Sequence, residues 1–178
     1  MAQHYGVPTR LLDWTEFPQV AMFFAAAPAW QDAVGYTRGG SERSDGCIAV
    51  YGLGCHLIKK LNLSLVHAVR HQNPRLRAQA GVFLFDPKSD DYFVAKGRWP
   101  SLEDRVKQLE EKERHSSMRG LVRPEARLVK WNLVASESRK LAKLLLDIGV
   151  SFESMYPSLE SAALAFAYRQ KILPKSDA

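Results

Sequence analysis

Cysteine is nearly absent: the 178 residues hold two, Cys47 and Cys55, which form neither a CxxC metal pair nor a disulfide framework. The five histidines, His4, His56, His67, His71 and His115, show no ligand-like spacing with cysteine or carboxylate, so no metal is expected. A long hydrophobic run is also missing. The longest apolar stretch, from Val20 to Trp30, falls well short of the roughly 20 residues a spanning helix needs, and Pro28 interrupts it. No membrane span is expected, and with no basic-then-apolar leader at the start the expected address is the cytoplasm. What is present is ordinary globular composition, 46% hydrophobic and 25% charged, which excludes intrinsic disorder, a collagen-like chain and a disulfide-dense mini-fold. The length suits one domain spanning 1–178.

An ordered turn segment leads into a helix at Pro18, placed where an N1 proline belongs, with Val20, Ala21, Phe23, Phe24 and Ala27 on a broad apolar face. The segment 31–46 turns to Gly, Ser, Asp and Arg without apolar periodicity and reads as a loop. Strands are expected at 47–53 and 81–85, β-favouring runs bracketed by glycine or Asp-Pro, and at 127–134, where Val129, Trp131 and Leu133 alternate with Leu128, Lys130, Asn132 and Val134. The segment 86–126 reads as a charged helical insertion whose helix starts at Leu102 under a Ser101 cap, with Val106 and Leu109 on one side. Ser136 is expected to cap a helix ending at Gly149, and Ser158 another running through Ala162, Ala163 and Phe166. Together these predict an α+β fold, a mixed β-sheet flanked by helices.

Acidic residues are missing between Asp45 and Asp86, a stretch that contains Lys59, Lys60, Arg70, Arg75 and Arg77 besides three histidines. Such a concentration is either a site for a phosphate-bearing ligand or a nucleic-acid backbone, or one solvated face of an ordinary domain. The aromatic platforms that favour nucleic acid are not interleaved with it.

The segment Gln3-His4-Tyr5-Gly6-Val7-Pro8-Thr9-Arg10-Leu11-Leu12-Asp13-Trp14-Thr15 packs an imidazole, a phenol, a guanidinium, a carboxylate and an indole into thirteen residues. Read structurally, Asp13 pairs with Arg10, Thr15 caps the following helix region, Trp14 fills core and His4 satisfies a backbone carbonyl. Followed by a proline and the Ala-x-x-Phe-Ala pattern of Ala21 to Ala25, this string closely resembles the core signature of the FRG domain family. Arg77 to Phe83, Lys140 to Gly149 and Met155 to Glu160 resemble further parts of the family pattern. Ser158 departs from it, standing where an acidic residue is usual. The Phe-Arg-Gly tripeptide that names the family lies upstream of the Gln-His-Tyr-Gly string in its members. The chain is therefore read as the larger carboxy-terminal part of such a domain.

The order of motifs also resembles ADP-ribosyltransferases, and that resemblance implies NAD as substrate. It places Thr15 or Asp13 at the nicotinamide ribose, His4 and Tyr5 along the pocket, and Gln79 in the position of the catalytic glutamate, with Arg70 or Arg77 partly replacing an upstream arginine at the pyrophosphate. Gln3, Gly6, Thr9, Arg10 and Trp14 complete the ligand-binding set, while Gln79, His4 and Asp13 are the catalytic candidates. An amide in the place of a carboxylate can hydrogen-bond a ribose hydroxyl but cannot stabilise an oxocarbenium-like state by charge. Two functions stand side by side: an NAD-using, ADP-ribosyltransferase-like domain of a bacterial toxin or defence system, and a non-catalytic module binding a nucleotide or other phosphate-bearing molecule to control a partner. Loss of an upstream strand would leave apolar surface around Leu11, Leu12 and Phe24 and invite self-association.

Overall fold

A computed structural model of the chain describes residues 10–34, 46–114 and 128–158, together with positions 162, 163, 165, 166 and 169. In it the elements run β1 (Leu11–Thr15), α1 (Pro18–Val34), β2 (Cys47–Leu53), α2 (Cys55–Lys60), β3 (Ser64–Val66), α3 (Pro74–Ala78), β4 (Gly81–Phe85), α4 (Ser89–Lys96), α5 (Leu102–Arg114), β5 (Leu128–Val134), α6 (Ser138–Asp147) and α7 (Phe152–Met155). The α+β class holds, built on two small sheets, one ordered β1-β4-β3 and one pairing β2 with β5. Among the described residues no helix is long and apolar enough to cross a membrane. The chain divides into two compact units, each assembled from three stretches: 1–14, 51–68 and 82–129 in the first, 15–50, 69–81 and 130–178 in the second.

In the first unit β4 is apolar at every position after its glycine because it lies between two strands, with Val82 and Leu84 buried. Its antiparallel partner β3 matches Leu65 to Leu84 and Val66 to Phe83. Short α2 reaches this core through Leu57 and ends at Asn62, whose φ of 56° is left-handed. The amides of Asn62 and Leu63 then return to the carbonyls of Lys59 and Ile58 at 3.0 and 2.9 Å, closing the helix end as a glycine would. Leu57, Leu61, Leu63 and Leu84 form the core, with Val106 and Leu109 of α5 packed against it as expected. Ser101 Oγ accepts from the Asp104 amide at 3.0 Å, so the expected cap is present. The Arg98 guanidinium and then Ser101 hold the Asp104 carboxyl below the usual carboxylate range.

After β4, Asp86 ties three elements together. Its Oδ1 accepts from the Lys88 amide at 2.9 Å, and its carbonyl accepts from Ser89 Oγ at 2.7 Å as α4 begins. Its Oδ2 lies 2.7 Å from Arg105 Nε on α5, with both side chains only 14% exposed. Arg105 Nε and Asp86 Oδ2 make no aligned hydrogen bond, but Arg105 Nη2 donates to Asp86 Oδ1 at 3.5 Å and to the Leu61 carbonyl at 3.3 Å.

In the second unit α1 begins at Pro18 as expected and buries Val20, Phe23, Ala26 and Ala27 against Ala142 and Leu145 of α6 and Val150, Phe152 and Met155 beyond it. Phe23 meets Phe152 edge-on at 5.0 Å. Two expectations are corrected here. Helix α1 runs on through Pro28 to Val34 and takes in the start of the expected 31–46 loop; 35–45 lie outside the described residues. Ser136 does not cap α6, because it sits in a 3-10 turn (Ala135–Glu137) that enters the helix without a side-chain cap. At the other end Gly149 behaves as expected. Its φ is 81°, and the amides of Gly149 and Val150 bond the carbonyls of Leu146 and Leu145 at 3.0 and 2.8 Å, a Schellman ending. Of the apolar residues expected to be uncovered, Leu12 and Phe24 are exposed and Leu11 is half-buried. The expected apolar face of β5 is covered at Leu133, whereas Val129 and Trp131 stay exposed.

Candidate functional site

Of the residues singled out in the sequence, Gln3, His4, Tyr5, Gly6 and Thr9 lie outside the described residues. Three others belong to the first unit. Arg10 is paired with Asp90 at 2.7 Å, not with Asp13, and lies over the Phe85 ring. Asp13 is exposed on β1, and Trp14 packs against the leucine core with its Nε1 buried and unbonded among the described residues. The acid-free basic stretch is likewise divided: His56, Lys59, Lys60 and His67 belong to the first unit, and Arg70, His71, Arg75 and Arg77 to the second.

The second unit brings together Thr15, Gln79 and Arg70. The chain leaves Asn73, whose Oδ1 caps α3 by accepting from the Leu76 amide at 3.0 Å, and Pro74 occupies the first helical position. The helix lasts five residues and ends at Gln79. Ala80, at a left-handed φ of 45°, then swings the chain into β4. Gly81 sits so close to Leu76 that an added Cβ would come within 2.5 Å of its Cδ1, which keeps this turn tight. The end of β1 docks on the same turn. Thr15 Oγ1 donates to the Gln79 carbonyl at 2.8 Å and accepts from the Phe17 amide at 3.2 Å, and the Glu16 amide donates to the Ala80 carbonyl at 3.2 Å.

Gln79 is therefore a helix-ending residue and not a strand residue, and its Nε2 donates to the Met155 carbonyl at 3.2 Å, holding α7 against α3. Arg70 Nη2 donates to Glu16 Oε2 at 2.6 Å and to the Gly81 carbonyl at 3.2 Å. Arg75 lies over the Tyr156 ring, 6.0 Å from its centre, and Arg77 is exposed, its guanidinium making no hydrogen bond or ion pair among the described residues. Glu16, Arg75 and Tyr156 thus join a cluster for which they were not proposed. A signal for Glu16 was available: arginines in an acid-free stretch must take counter-charges from elsewhere, and Glu16 directly follows the dense polar string.

Burial pushes the Tyr156 phenol above its ordinary value of about 10, and the Arg75 guanidinium draws it partly back. A raised folded-state value means that this group's contribution to stability is complete at neutral pH and is lost as pH rises through the folded value. In an alkaline absorbance titration, with Tyr156→Phe as the subtraction control, Arg75→Ala is expected to move the Tyr156 transition higher still. An unchanged transition would remove Arg75 from the neighbourhood of the ring.

The strand-to-helix junction at Thr15 and Pro18 lies in the stretch where the chain matches a known family. Residues 1–33 match the FRG domain. No curated protein and no solved structure matches the chain. The FRG match takes in all of β1 and α1 up to residue 33, so Thr15 and Glu16 lie inside it, while Arg70, Gln79 and Met155 lie beyond it. Among the described residues there is no group of three His, Cys, Asp or Glu side chains placed to hold a metal ion.

Proposed function

We propose that this FRG domain-containing protein binds a nucleotide or other phosphate-bearing small molecule at the α3 cluster of its second unit, as a sensing module without a chemical step of its own. The observation that carries the reading is the division of labour in that cluster. The Thr15 hydroxyl and the Gln79 amide are engaged by backbone groups at 2.8 and 3.2 Å, whereas the Arg77 guanidinium has no carboxylate or hydrogen-bond partner among the described residues. Side chains that brace a turn are poor candidates for transferring a glycosyl group, and an amide lacks the charge that an oxocarbenium-like state requires. A guanidinium without a counter-ion suits a nucleotide phosphate, and on the same helix Arg75 lies over the Tyr156 ring. A toxin or defence system, the setting implied by the family resemblance, would use such a module to sense a ligand and act on a partner.

The test is calorimetric titration with NAD and with ADP-ribose, alongside chromatography for nicotinamide. Expected are saturable binding, weakened roughly fivefold or more by Arg77→Ala, and nicotinamide no higher than in a protein-free blank. Nicotinamide release that Gln79→Ala abolishes would reverse the assignment in favour of an NAD-using transferase. Absence of binding by either ligand would end the proposal.

A further inference from the structure

We infer that Arg70 is a second phosphate-holding group of this site beside Arg77, and that the Glu16 carboxylate occupies its ligand position in the free protein and must leave for Arg70 to hold a phosphate. The inference rests on the phosphate-binding reading above and adds a second residue that takes the anion and what competes for it.

A guanidinium can grip a phosphate or carboxylate with two parallel hydrogen bonds along either of two edges, the one formed by Nε and Nη2 or the one formed by the two Nη atoms. The third edge is blocked by the side chain's own Cδ. Both usable edges therefore pass through Nη2. In this protein the two Nη2 hydrogens are matched by two acceptors, Glu16 Oε2 at 2.6 Å and the Gly81 carbonyl at 3.2 Å. The Gly81 bond fixes the head of Arg70 to the turn that carries Gln79, so the guanidinium is already oriented. Its Nε and Nη1 hydrogens have no partner among the described residues, and about a third of the side chain is open to solvent. A fork is thus poised with one tine covered by a carboxylate.

Glu16 is the group free to yield. Its backbone is anchored through the Ala80 carbonyl, but its side chain is 44% exposed and holds Arg70 at one oxygen only. A part-exposed pair of this kind is weak, and a dianionic phosphate outcompetes it by charge, while a monocarboxylate gains nothing by replacing one carboxylate with another. Glu16 therefore makes the site selective for phosphate over carboxylate ligands. Removing its charge while keeping its shape should uncover the fork.

The experiment is titration of the full chain with inorganic phosphate and with acetate, read by calorimetry, for the native protein, Glu16→Gln and Arg70→Lys, each first checked for an unchanged thermal unfolding profile. Expected is phosphate binding about fivefold or more tighter in Glu16→Gln than in the native chain, with acetate binding gained as well, and both lost in Arg70→Lys, which keeps the charge but not the fork. Native binding of phosphate with equal or weaker binding in Glu16→Gln would overturn the inference and leave the phosphate-binding reading standing. Binding by Glu16→Gln alone would support the inference while showing that the native pair is too tight for the proposed function. Binding by none of the three would overturn both. Should Arg70→Lys fail to fold, Arg70→Gln, which removes both the charge and the fork, takes its place with the same expected loss.

Discussion

Truncation of Phe23 to alanine is expected to lower the unfolding free energy by about 3–5 kcal/mol, the usual range for removing a fully enclosed aromatic ring. Phe23 is 0% exposed and sits where α1, α6 and α7 meet, edge-on to Phe152 at 5.0 Å and to Phe24 at 5.6 Å. Its neighbours are held by backbone that cannot collapse freely: Phe152 follows a capping box in which Ser151 and Ser154 bond each other's amides, and Val150 is fixed by the Schellman turn. The cavity should therefore persist, and cavity volume adds to the lost transfer free energy. Phe24→Ala, one residue along and exposed, removes the same atoms at a cost of about 1 kcal/mol. Urea denaturation of both variants, followed by far-ultraviolet circular dichroism, checks the contrast. Equal losses would mean that α1 does not turn the Phe23 face inward.

The second large effect is expected at Asp86. Replacement by alanine strands the Arg105 guanidinium in a mostly covered position, and breaking one half of a pair buried in this way costs about 3–5 kcal/mol. The loss includes the Lys88 amide bond that starts α4, so part of it should show as faster hydrogen exchange in α4 and α5. The double variant Asp86→Leu with Arg105→Met should recover most of the stability, because it removes both charges and keeps apolar volume. A double variant as unstable as the single would show that packing, not the stranded charge, sets the cost.

The parts of this fold that could be read in advance are those bracketed by strong punctuation. β2 and β4 occupy their expected bounds because glycines, or Asp86-Pro87, close off runs of β-branched and aromatic residues. Gly149 ends α6 because only a residue tolerant of positive φ closes a Schellman turn cheaply. The first strand was harder. Leu11 to Thr15 mixes polar and apolar side chains without alternation, since it lies at the edge of its sheet with exposed Leu12 and Asp13 adjacent, and it reads as a turn. Helices α2 and α3, of six and five residues, are too short for a 3.6-residue period to emerge, although Asn73 followed by Pro74 is a cap and a first-turn proline.

The candidate site was legible as a set of residue types but not as a set of neighbours. Thr15 and Gln79 are 64 residues apart and Arg70 and Glu16 are 54 apart, and nothing local announces either contact. Gln79 stands two residues before the strand residue Gly81, yet it ends a helix. The left-handed Ala80 separates them, and alanine gives little warning of that geometry.

The way the second core is assembled bears on how the chain is made. The apolar face of α1 leaves the ribosome well ahead of its cover, since Ala142, Leu145, Phe152 and Met155 are synthesised more than a hundred residues later. At about 5–20 residues per second, Val20, Phe23 and Ala27 wait roughly 6–25 s for their partners. During that interval the nascent helix is an adhesive surface, so yield in the cell should depend on chaperone supply and on slow translation pauses far more than the finished protein's stability would suggest.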